Sequence, residues 1–239
     1  MVSLCKANLG LAVFVILVFG LTTSVQALTI YNAADDFSAT NNPNGVWSYG
    51  WSSSLGSAFN LYTTPTSYPN GINAWGGVPW VTHNPTASTI VWSSTSWLPG
   101  QMIFHPGLYG QFSVVRWIAP SPGSIFIDAM FTGRDSAGTT TDVHVLHNSV
   151  SIFDGLVNTF GSGPSFATTR TVFMGDTIDF TVGYGSNGNY YFDNTSLHGM
   201  ITYTTAIPEP STFVLFGVGI IGTAIYGYRR WKKAESTPS

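Results

Sequence analysis

One stretch of the sequence indicates the fold class most directly: Ser113-Val-Val-Arg-Trp-Ile118, Ala119-Pro-Ser-Pro-Gly123, Ser124-Ile-Phe-Ile-Asp-Ala-Met-Phe131. Two runs of residues that favour strands are separated here by a break rich in proline and glycine, which is typical of a turn. The pattern continues toward the C-terminus, with further predicted strands at residues 142–146, 150–153, 169–173, 177–182 and 197–203. Short strands between turns predict an all-β domain, a β-sandwich of jelly-roll type, rather than a parallel α/β sheet.

Two turns predict local strand pairing. His147-Asn148-Ser149 would join residues 142–146 to 150–153. Met174-Gly175-Asp176 would join residues 169–173 to 177–182 as another hairpin, because its residues are common in turns.

The composition of residues 28–206 excludes one class of partner. This stretch has nine aspartates, three arginines, no lysine and no glutamate, so its formal net charge is −6 against −3 for the whole chain. Because phosphate neutralisation needs clustered cations, we expect no nucleic-acid partner. The lack of Lys and Glu, which favour helices, agrees with the all-β prediction.

The N-terminus has the order of a secretory signal peptide. Lys6 precedes an apolar run over residues 9–21, and Val25 and Ala27 satisfy the small-x-small rule for cleavage. We therefore predict a signal peptide over residues 1–27, cut after Ala27. The alternative is an uncleaved N-terminal anchor.

The C-terminus combines three features in order. The motif Pro208-Glu-Pro210 precedes an apolar run over residues 213–228, and four cations follow within residues 229–233. At 1.5 Å per residue the run would form a helix of about 24 Å, short for a membrane span but workable with its flanking residues. The cations would hold this end on the cytoplasmic side.

This order of motif, apolar run and basic cluster resembles the PEP-CTERM sorting signal of Gram-negative bacteria. The resemblance implies recognition by exosortase, a membrane enzyme that resembles a transpeptidase. Exosortase would process the chain near the motif and pass it to the cell surface or the extracellular polysaccharide. The sorting residues implied are Pro208, Glu209, Pro210, Arg229 and Arg230. The alternative is a plain C-terminal anchor that is never cut.

These signals divide the chain into four parts. We expect a signal peptide (1–27), a β-sandwich ectodomain (28–206), the sorting signal with a transmembrane helix (207–233) and a tail (234–239). The membrane is thus an expected partner before processing, and the cell surface or matrix is the expected destination.

The ectodomain carries a second resemblance in its turns and strand starts: Ala119-Pro-x-x-Gly123, Asp142-Val-x-Val145, Gly175-Asp-Thr-Ile-Asp-Phe180 and Tyr191-Phe-Asp-Asn-Thr195. The pattern looks like a recurrent ectodomain of exported PEP-CTERM proteins. It is also distantly similar to jelly-roll carbohydrate-binding modules, a similarity that implies binding of an extracellular polysaccharide.

The first half of the ectodomain is rich in tryptophan, with six between residues 47 and 97: Trp47, Trp51, Trp75, Trp80, Trp92 and Trp97. Trp47, Tyr49 and Trp51 alternate, so on a strand they would share one face. Such a face suits a platform that stacks on sugar rings, and it suits a core face equally. Both interpretations stay open from the sequence.

Calcium is the one cofactor that we consider. Jelly-roll modules often bind Ca²⁺ between the first and last strands through carboxylate and carbonyl oxygens. Asp35 and Asp36 lie near the start of the ectodomain and Asp193 near its end, so a sandwich could bring them together. The alternative is that these aspartates cap turns or face solvent.

The sequence offers little for catalysis. Gly-x-Ser-x-Gly, His-Glu-x-x-His and Walker A motifs are absent, and the ectodomain has no glutamate to serve as a glycosidase acid, although an aspartate pair could still serve. His144 and His147 would point to opposite faces of a strand and could not jointly hold a metal. Cys5, the single cysteine, lies in the predicted signal peptide, which leaves the mature chain without a thiol nucleophile or a disulfide.

We therefore predict that the protein is not an enzyme. The expected function is that of an exported bacterial surface or matrix protein with a structural or adhesive role. The alternative is a carbohydrate-binding module whose tryptophan-rich half holds an extracellular polysaccharide.

Overall fold

Residues 28–205 are built from β-strands, and a helix follows near the C-terminus. The computed structural model describes residues 27–68, 70–205 and 212–235. The chain divides into two units, residues 26–208 and a second unit that contains the helix. The predicted signal peptide and the motif Pro208-Glu209-Pro210 lie outside the described residues.

In chain order the elements are β1 (Leu28–Asn32), β2 (Trp47–Ser52), β3 (Asn60–Leu61), β4 (Pro65–Ser67), β5 (Asn73–Gly76), β6 (Trp80–His83), β7 (Ile90–Trp92), β8 (Thr95–Trp97), β9 (Met102–His105), β10 (Phe112–Ile118), β11 (Gly123–Gly133), β12 (Thr141–His147), β13 (Val150–Val157), β14 (Ser165–Val172), β15 (Thr177–Gly183), β16 (Thr195–Thr205) and α1 (Thr212–Glu235).

The strands form two large antiparallel sheets. An eight-stranded sheet has the order β14-β11-β16-β9-β6-β5-β4, with β1 also paired to β16, and a six-stranded sheet has the order β13-β12-β15-β10-β2-β3. Strands β7 and β8 form a separate hairpin. The prediction of an all-β sandwich is confirmed, while its jelly-roll type stays a prediction.

Alternation along β11 shows how the sheets pack. Ile125, Ile127, Ala129 and Phe131 are fully buried, whereas the side chains between them are at least partly exposed. Period-two burial of this kind is what a strand with one core face must show. The inner faces of both sheets join one core, whose largest rings are Trp47, Tyr49, Phe104, Trp117, Phe131, Phe180 and Tyr203.

One predicted hairpin is confirmed and the other is wrong. Asn148 and Ser149 connect β12 to β13 with φ of 50° and 67°, the left-handed conformations that a type I′ turn requires. By contrast, β14 pairs with β11 while β15 pairs with β10 and β12, so the turn at Met174–Asp176 passes the chain between sheets. The Asp176 N–H donates to the Phe173 carbonyl (3.0 Å), a turn bond that a hairpin would also contain.

All three arginines of the domain lie on strands or beneath the surface. Arg116 pairs with Asp179 across β10 and β15, with Nε and Nη2 2.7 and 2.8 Å from the two carboxylate oxygens. Arg134 is 8% exposed and donates to the backbone and hydroxyl oxygens of Ser96. Arg170 lies within β14.

Helix α1 carries the apolar run and the exposed Arg229 and Arg230. In the part of the chain that the structure describes, no helix combines the length and the apolar character needed to cross a membrane. The prediction of a transmembrane helix, and of the membrane as its partner, is therefore not supported. Glycines interrupt the run and reduce its mean hydropathy: Gly217, Gly219, Gly222 and Gly227.

On the six-stranded sheet, His144 lies between two carboxylates. Its Nε2 is 3.0 Å from Asp142 Oδ2, and its Nδ1 is 2.5 Å from Asp154 Oδ1. Burial works to lower the pKa of His144, but the hydrogen bonds to Asp142 and Asp154 outweigh burial and raise the pKa above 6.5. The charged imidazole is thus favoured in the folded state.

The raised pKa predicts a specific dependence of stability on pH. The contribution of His144 to stability is complete below pH 6.5, its ordinary pKa, and is lost as pH rises through the raised folded pKa. We expect the free energy of unfolding to fall in that window, and the fall to become smaller in His144→Gln. Part of the fall up to about pH 7 should remain, because Asp193 has a folded pKa of about 7. Urea denaturation at successive pH values measures both.

Two features make this measurement specific. Burial lowers the pKa of His83 and of His105, so their titration changes stability only below pH 6.5. Exposed His198 provides the control, because His198→Gln should keep the alkaline fall. An unchanged slope in His144→Gln would contradict the assignment.

Candidate functional site

The predicted glycan platform on β2 is a core face. Trp47 and Tyr49 are 1% and 0% exposed, and Trp51 is partly buried against the same core. The Trp47 indole N–H donates to Asp36 Oδ2 (3.0 Å), and the Tyr49 ring stacks on Trp75 with an interplanar angle of 11°. Trp47 and Tyr49 share a core cluster with Trp75 and Val81 of the opposite sheet, which covers this face. Trp47 and Tyr49 are therefore not available to a sugar, whereas Trp51 also lines an open groove with Leu61 and Tyr62.

The predicted calcium ligands are not brought together. Asp35 and Asp36 bond to Asn32 at the end of β1, whereas Asp193 accepts hydrogen bonds from the Thr140 N–H and hydroxyl. The first and last strands do pair, but Asn32 lies opposite Met200. Asp193 precedes Met200 by seven residues, about 23 Å along a strand. Among the described residues, no group of three or more His, Cys, Asp or Glu could hold a metal.

A different set of residues does converge, at one end of the sandwich. An open cleft of about 200 Å³ forms between the start of β6, the β7–β8 hairpin, the end of β9 and the segment before β16. We call it the aromatic cleft, and its lining is Trp80, Trp92, Ser93, Ser94, Thr95, Trp97, His105, Asp135, Phe192 and Asn194. A larger groove beside Gly123 and Phe173 has no acidic, basic or tryptophan side chain in its lining. The aromatic cleft is therefore the stronger candidate site.

Two exposed rings stand at the mouth of the aromatic cleft. Trp92 is 50% exposed and Phe192 is 49% exposed. Behind them Trp80 packs edge-on against His105, with ring centroids 5.2 Å apart. The cleft thus offers exposed apolar ring surface with a partly buried floor.

The backbone at the mouth is strained at two positions. Ser93 has φ of 55° and Phe192 has φ of 63°, in the left-handed region that non-glycine residues rarely adopt. Such strain persists only where the surroundings enforce it, and it is often found at binding sites. Both strained residues line the aromatic cleft.

A buried carboxylate fixes the walls of the cleft to each other. Asp135 is 1% exposed, and its Oδ1 accepts hydrogen bonds from the hydroxyls of Ser94 (2.7 Å) and Thr95 (2.6 Å). Its Oδ2 accepts hydrogen bonds from the backbone N–H and the side-chain amide of Asn194 (2.8 and 3.0 Å). Asp135 therefore ties the β7–β8 hairpin to the segment that carries Phe192.

Two ring nitrogens belong to side chains behind the exposed rings, those of His105 and Trp80, and the Trp80 nitrogen is buried. Burial lowers the pKa of His105, although its bond to the Pro106 carbonyl opposes that shift, so the ring is neutral at pH 7. Its Nδ1 lies 2.8 Å from the Pro106 oxygen and must donate to it, which leaves Nε2 as an acceptor. The Trp80 indole N–H has no partner in the described part of the chain.

Asp193 lies next to the cleft wall. Burial raises its pKa to about 7; hydrogen bonds from Thr140 oppose the shift, and the charges of Asp135 and Asp142 add to it. One carboxylate oxygen accepts from Thr140, and the other is buried without a partner among the described residues. Asp193 therefore carries much less negative charge near neutral pH than an exposed aspartate.

Sequence reasoning missed this cleft. Trp80, Trp92 and Trp97 are among the six tryptophans noted above, but no spacing rule joins them to His105, Asp135 or Asn194. The available signal was local: Trp92 and Trp97 flank Ser-Ser-Thr-Ser, which forms a polar hairpin tip.

Comparison with known proteins identifies the C-terminal segment. The model for the PEP-CTERM protein-sorting motif matches residues 206–230. The chain carries a PEP-CTERM sorting motif. This motif implies exosortase-dependent export to the cell surface, and it leaves the domain before it unassigned. No curated protein matches the chain.

Solved structures with some likeness to the chain include carbohydrate-binding modules. CBM51 from a Clostridium perfringens GH95 protein, in complex with methyl-galactose, is 11% identical and covers 73% of this chain and 99% of its own, with a TM-score of 0.34. A family 35 carbohydrate-binding module from Clostridium thermocellum is 11% identical and covers 59% of this chain and 98% of its own, with a TM-score of 0.31. CBM35 from Cellvibrio japonicus Abf62 is 8% identical and covers 74% of this chain and 92% of its own, also with a TM-score of 0.31. At these TM-scores the likeness carries no argument about function.

The Asp135 network predicts a stability effect. In Asp135→Asn the amide nitrogen cannot accept a hydrogen bond, so two of the four donors lose their partner inside the protein. We expect the free energy of unfolding to drop by about 2 kcal/mol in urea denaturation. Asp128→Asn is the control, because Asp128 is partly exposed on the outer face of β11. Equal stability of the two variants would contradict the structural role of Asp135.

Proposed function

We propose that the domain binds an extracellular polysaccharide through the aromatic cleft, on a chain that is exported and sorted through its PEP-CTERM motif. The role is adhesive: the domain attaches the protein to glycan at the cell surface or in the matrix. Exosortase is the proposed processing partner, as the sorting motif implies.

The observation that carries this proposal is the half-exposed Trp92, which faces the same cleft as Phe192. Sugar rings have apolar C–H faces that stack on aromatic rings, and hydroxyls that both donate and accept hydrogen bonds. Behind these rings, the Trp80 and His105 side chains add largely buried ring surface without a charge.

Charge supports the same class of ligand. The domain has a formal net charge of −6 and no lysine, which disfavours nucleic acids and other polyanions. The cleft itself is lined by one carboxylate and no arginine.

The cleft supports binding rather than catalysis. Glycoside hydrolysis needs two carboxyl groups that flank the scissile bond. Asp135 is the one carboxylate in the cleft lining, and each of its oxygens already accepts two hydrogen bonds. We therefore propose that the protein is not an enzyme.

A passive structural role is the competing proposal, and ligand binding separates the two. We expect the full-length chain to bind glycans on an array, and Trp92→Ala to weaken binding roughly fivefold through loss of about 1 kcal/mol of stacking. Phe126→Ala is the matched control, because Phe126 is 45% exposed on the outer face of β11. Equal loss in both variants, or no binding to any glycan, would favour the passive role.

The sorting proposal makes a separate prediction. Glu209 and Glu235 are the two glutamates of the chain, and Glu209 alone lies within the matched motif. If exosortase reads the motif, Glu209→Ala should accumulate as a longer, unprocessed form on a denaturing gel. Glu235→Ala should be processed normally. Identical mobility of both variants and the wild type would argue against processing at this motif.

A further inference from the structure

The aromatic cleft is one part of a longer row of rings. Each ring contacts the next, with centroid separations of 4.7 to 6.3 Å, in the order Trp92, Tyr68, Trp80, His105, Tyr190 and Tyr191. Trp92 at one end and Tyr191 at the other are 50% and 61% exposed. The row therefore runs through the cleft and reaches solvent at both ends.

A second hollow adjoins the aromatic cleft. It has a volume of about 330 Å³ and is lined by Tyr68, Asn70, Val91 and Trp92; we call it the outer hollow. Trp92 lines both the outer hollow and the aromatic cleft, so its ring lies between them. A ligand that filled both spaces would have to cross Trp92.

We propose that this surface binds a neutral oligosaccharide that lies across Trp92, with sugar units in both the aromatic cleft and the outer hollow. The inference rests on the proposed glycan binding and adds the ligand's length and charge. Because the aromatic cleft and the outer hollow are both open to solvent, the natural ligand is an internal stretch of a polymer rather than a chain end.

The charges around the two spaces favour a neutral ligand. Asp135 and His105 are the acidic and basic side chains in the cleft lining, and the outer hollow has neither kind. Arg134 precedes Asp135 in the sequence, and its guanidinium donates hydrogen bonds to Ser96. The central carbon of this guanidinium lies over the Phe160 ring, 5.6 Å from the ring centroid. A uronate or sulfate group would therefore meet no available cation among the described residues that line these spaces.

Affinity electrophoresis of the full-length chain tests the ligand class. The gels contain neutral polymers (dextran, galactomannan, xyloglucan, arabinogalactan) or anionic ones (alginate, polygalacturonate). We expect retardation by at least one neutral polymer and by neither anionic one. Hexasaccharide from the retarding polymer should compete at least tenfold better than its monosaccharide.

Two pairs of variants test the path across Trp92. Val91 in the outer hollow and Val150 on β13 are both 68% exposed, which makes Val91→Asp and Val150→Asp a matched pair. We expect Val91→Asp to weaken hexasaccharide binding at least fivefold without changing monosaccharide binding, and Val150→Asp to change neither. Phe192→Ala should weaken both ligands, since it removes a wall of the aromatic cleft, while Phe126→Ala should weaken neither.

The outcomes separate this inference from the proposed function. Equal competition by monosaccharide and hexasaccharide, or unchanged hexasaccharide affinity in Val91→Asp, would overturn the extended site while glycan binding stands. Stronger retardation by an anionic polymer would overturn the neutral ligand. Retardation by no polymer would overturn the proposed function and this inference with it.

Discussion

Burial of large aromatic rings between two antiparallel sheets is the constraint on which the rest of the structure depends. Residues 28–206 contain no cysteine, so no disulfide holds the sheets together. Trp47, Trp117 and Phe180 from one sheet meet Phe131 and Tyr203 from the other, all at most 2% exposed. At about 2 kcal/mol for each buried side chain of this size, packing supplies the stability that few charges and no cross-links provide. The same demand explains why Trp47, Trp75 and Trp117 are unavailable to a ligand.

The exposed aromatic residues are held by polar contacts rather than by the core. Asp135 reaches the β7–β8 hairpin, about 40 residues earlier in the chain, and Asn194, 59 residues later. Its four hydrogen bonds add to a single β-bridge between Thr95 and Asp135, and they connect the hairpin to the segment that carries Asn194. The strained backbone at Ser93 and Phe192 lies within the segments that Asp135 connects. The hydrogen bonds of Asp135 therefore restrain the same segments that contain the strain.

The sequence pattern predicted those features that depend on residues close together in the chain. The strand at residues 124–131 and the turn at Asn148 depend on neighbours in sequence, and both predictions are confirmed. The turn at Met174–Asp176 has ordinary turn chemistry, yet the sheet that each flanking strand joins depends on distant partners, so its hairpin prediction was wrong. Alternation at Trp47, Tyr49 and Trp51 likewise gave the shared face but not whether that face would be covered. The aromatic cleft could not be predicted from the sequence, because its residues come from distant segments that only the complete sandwich brings together.

The placement of the arginines has a consequence for the life of this domain outside the cell. Trypsin-like proteases cut after lysine or arginine in an extended, accessible segment, so cleavage of a folded domain requires such a residue in a loop or in a locally unfolded region. Here Arg116 is held by Asp179 within β10, Arg134 is almost fully buried, and Arg170 lies inside β14. Digestion by this class of enzyme must therefore wait for strands to separate, and the lifetime of the exported domain is set by how often its sandwich opens.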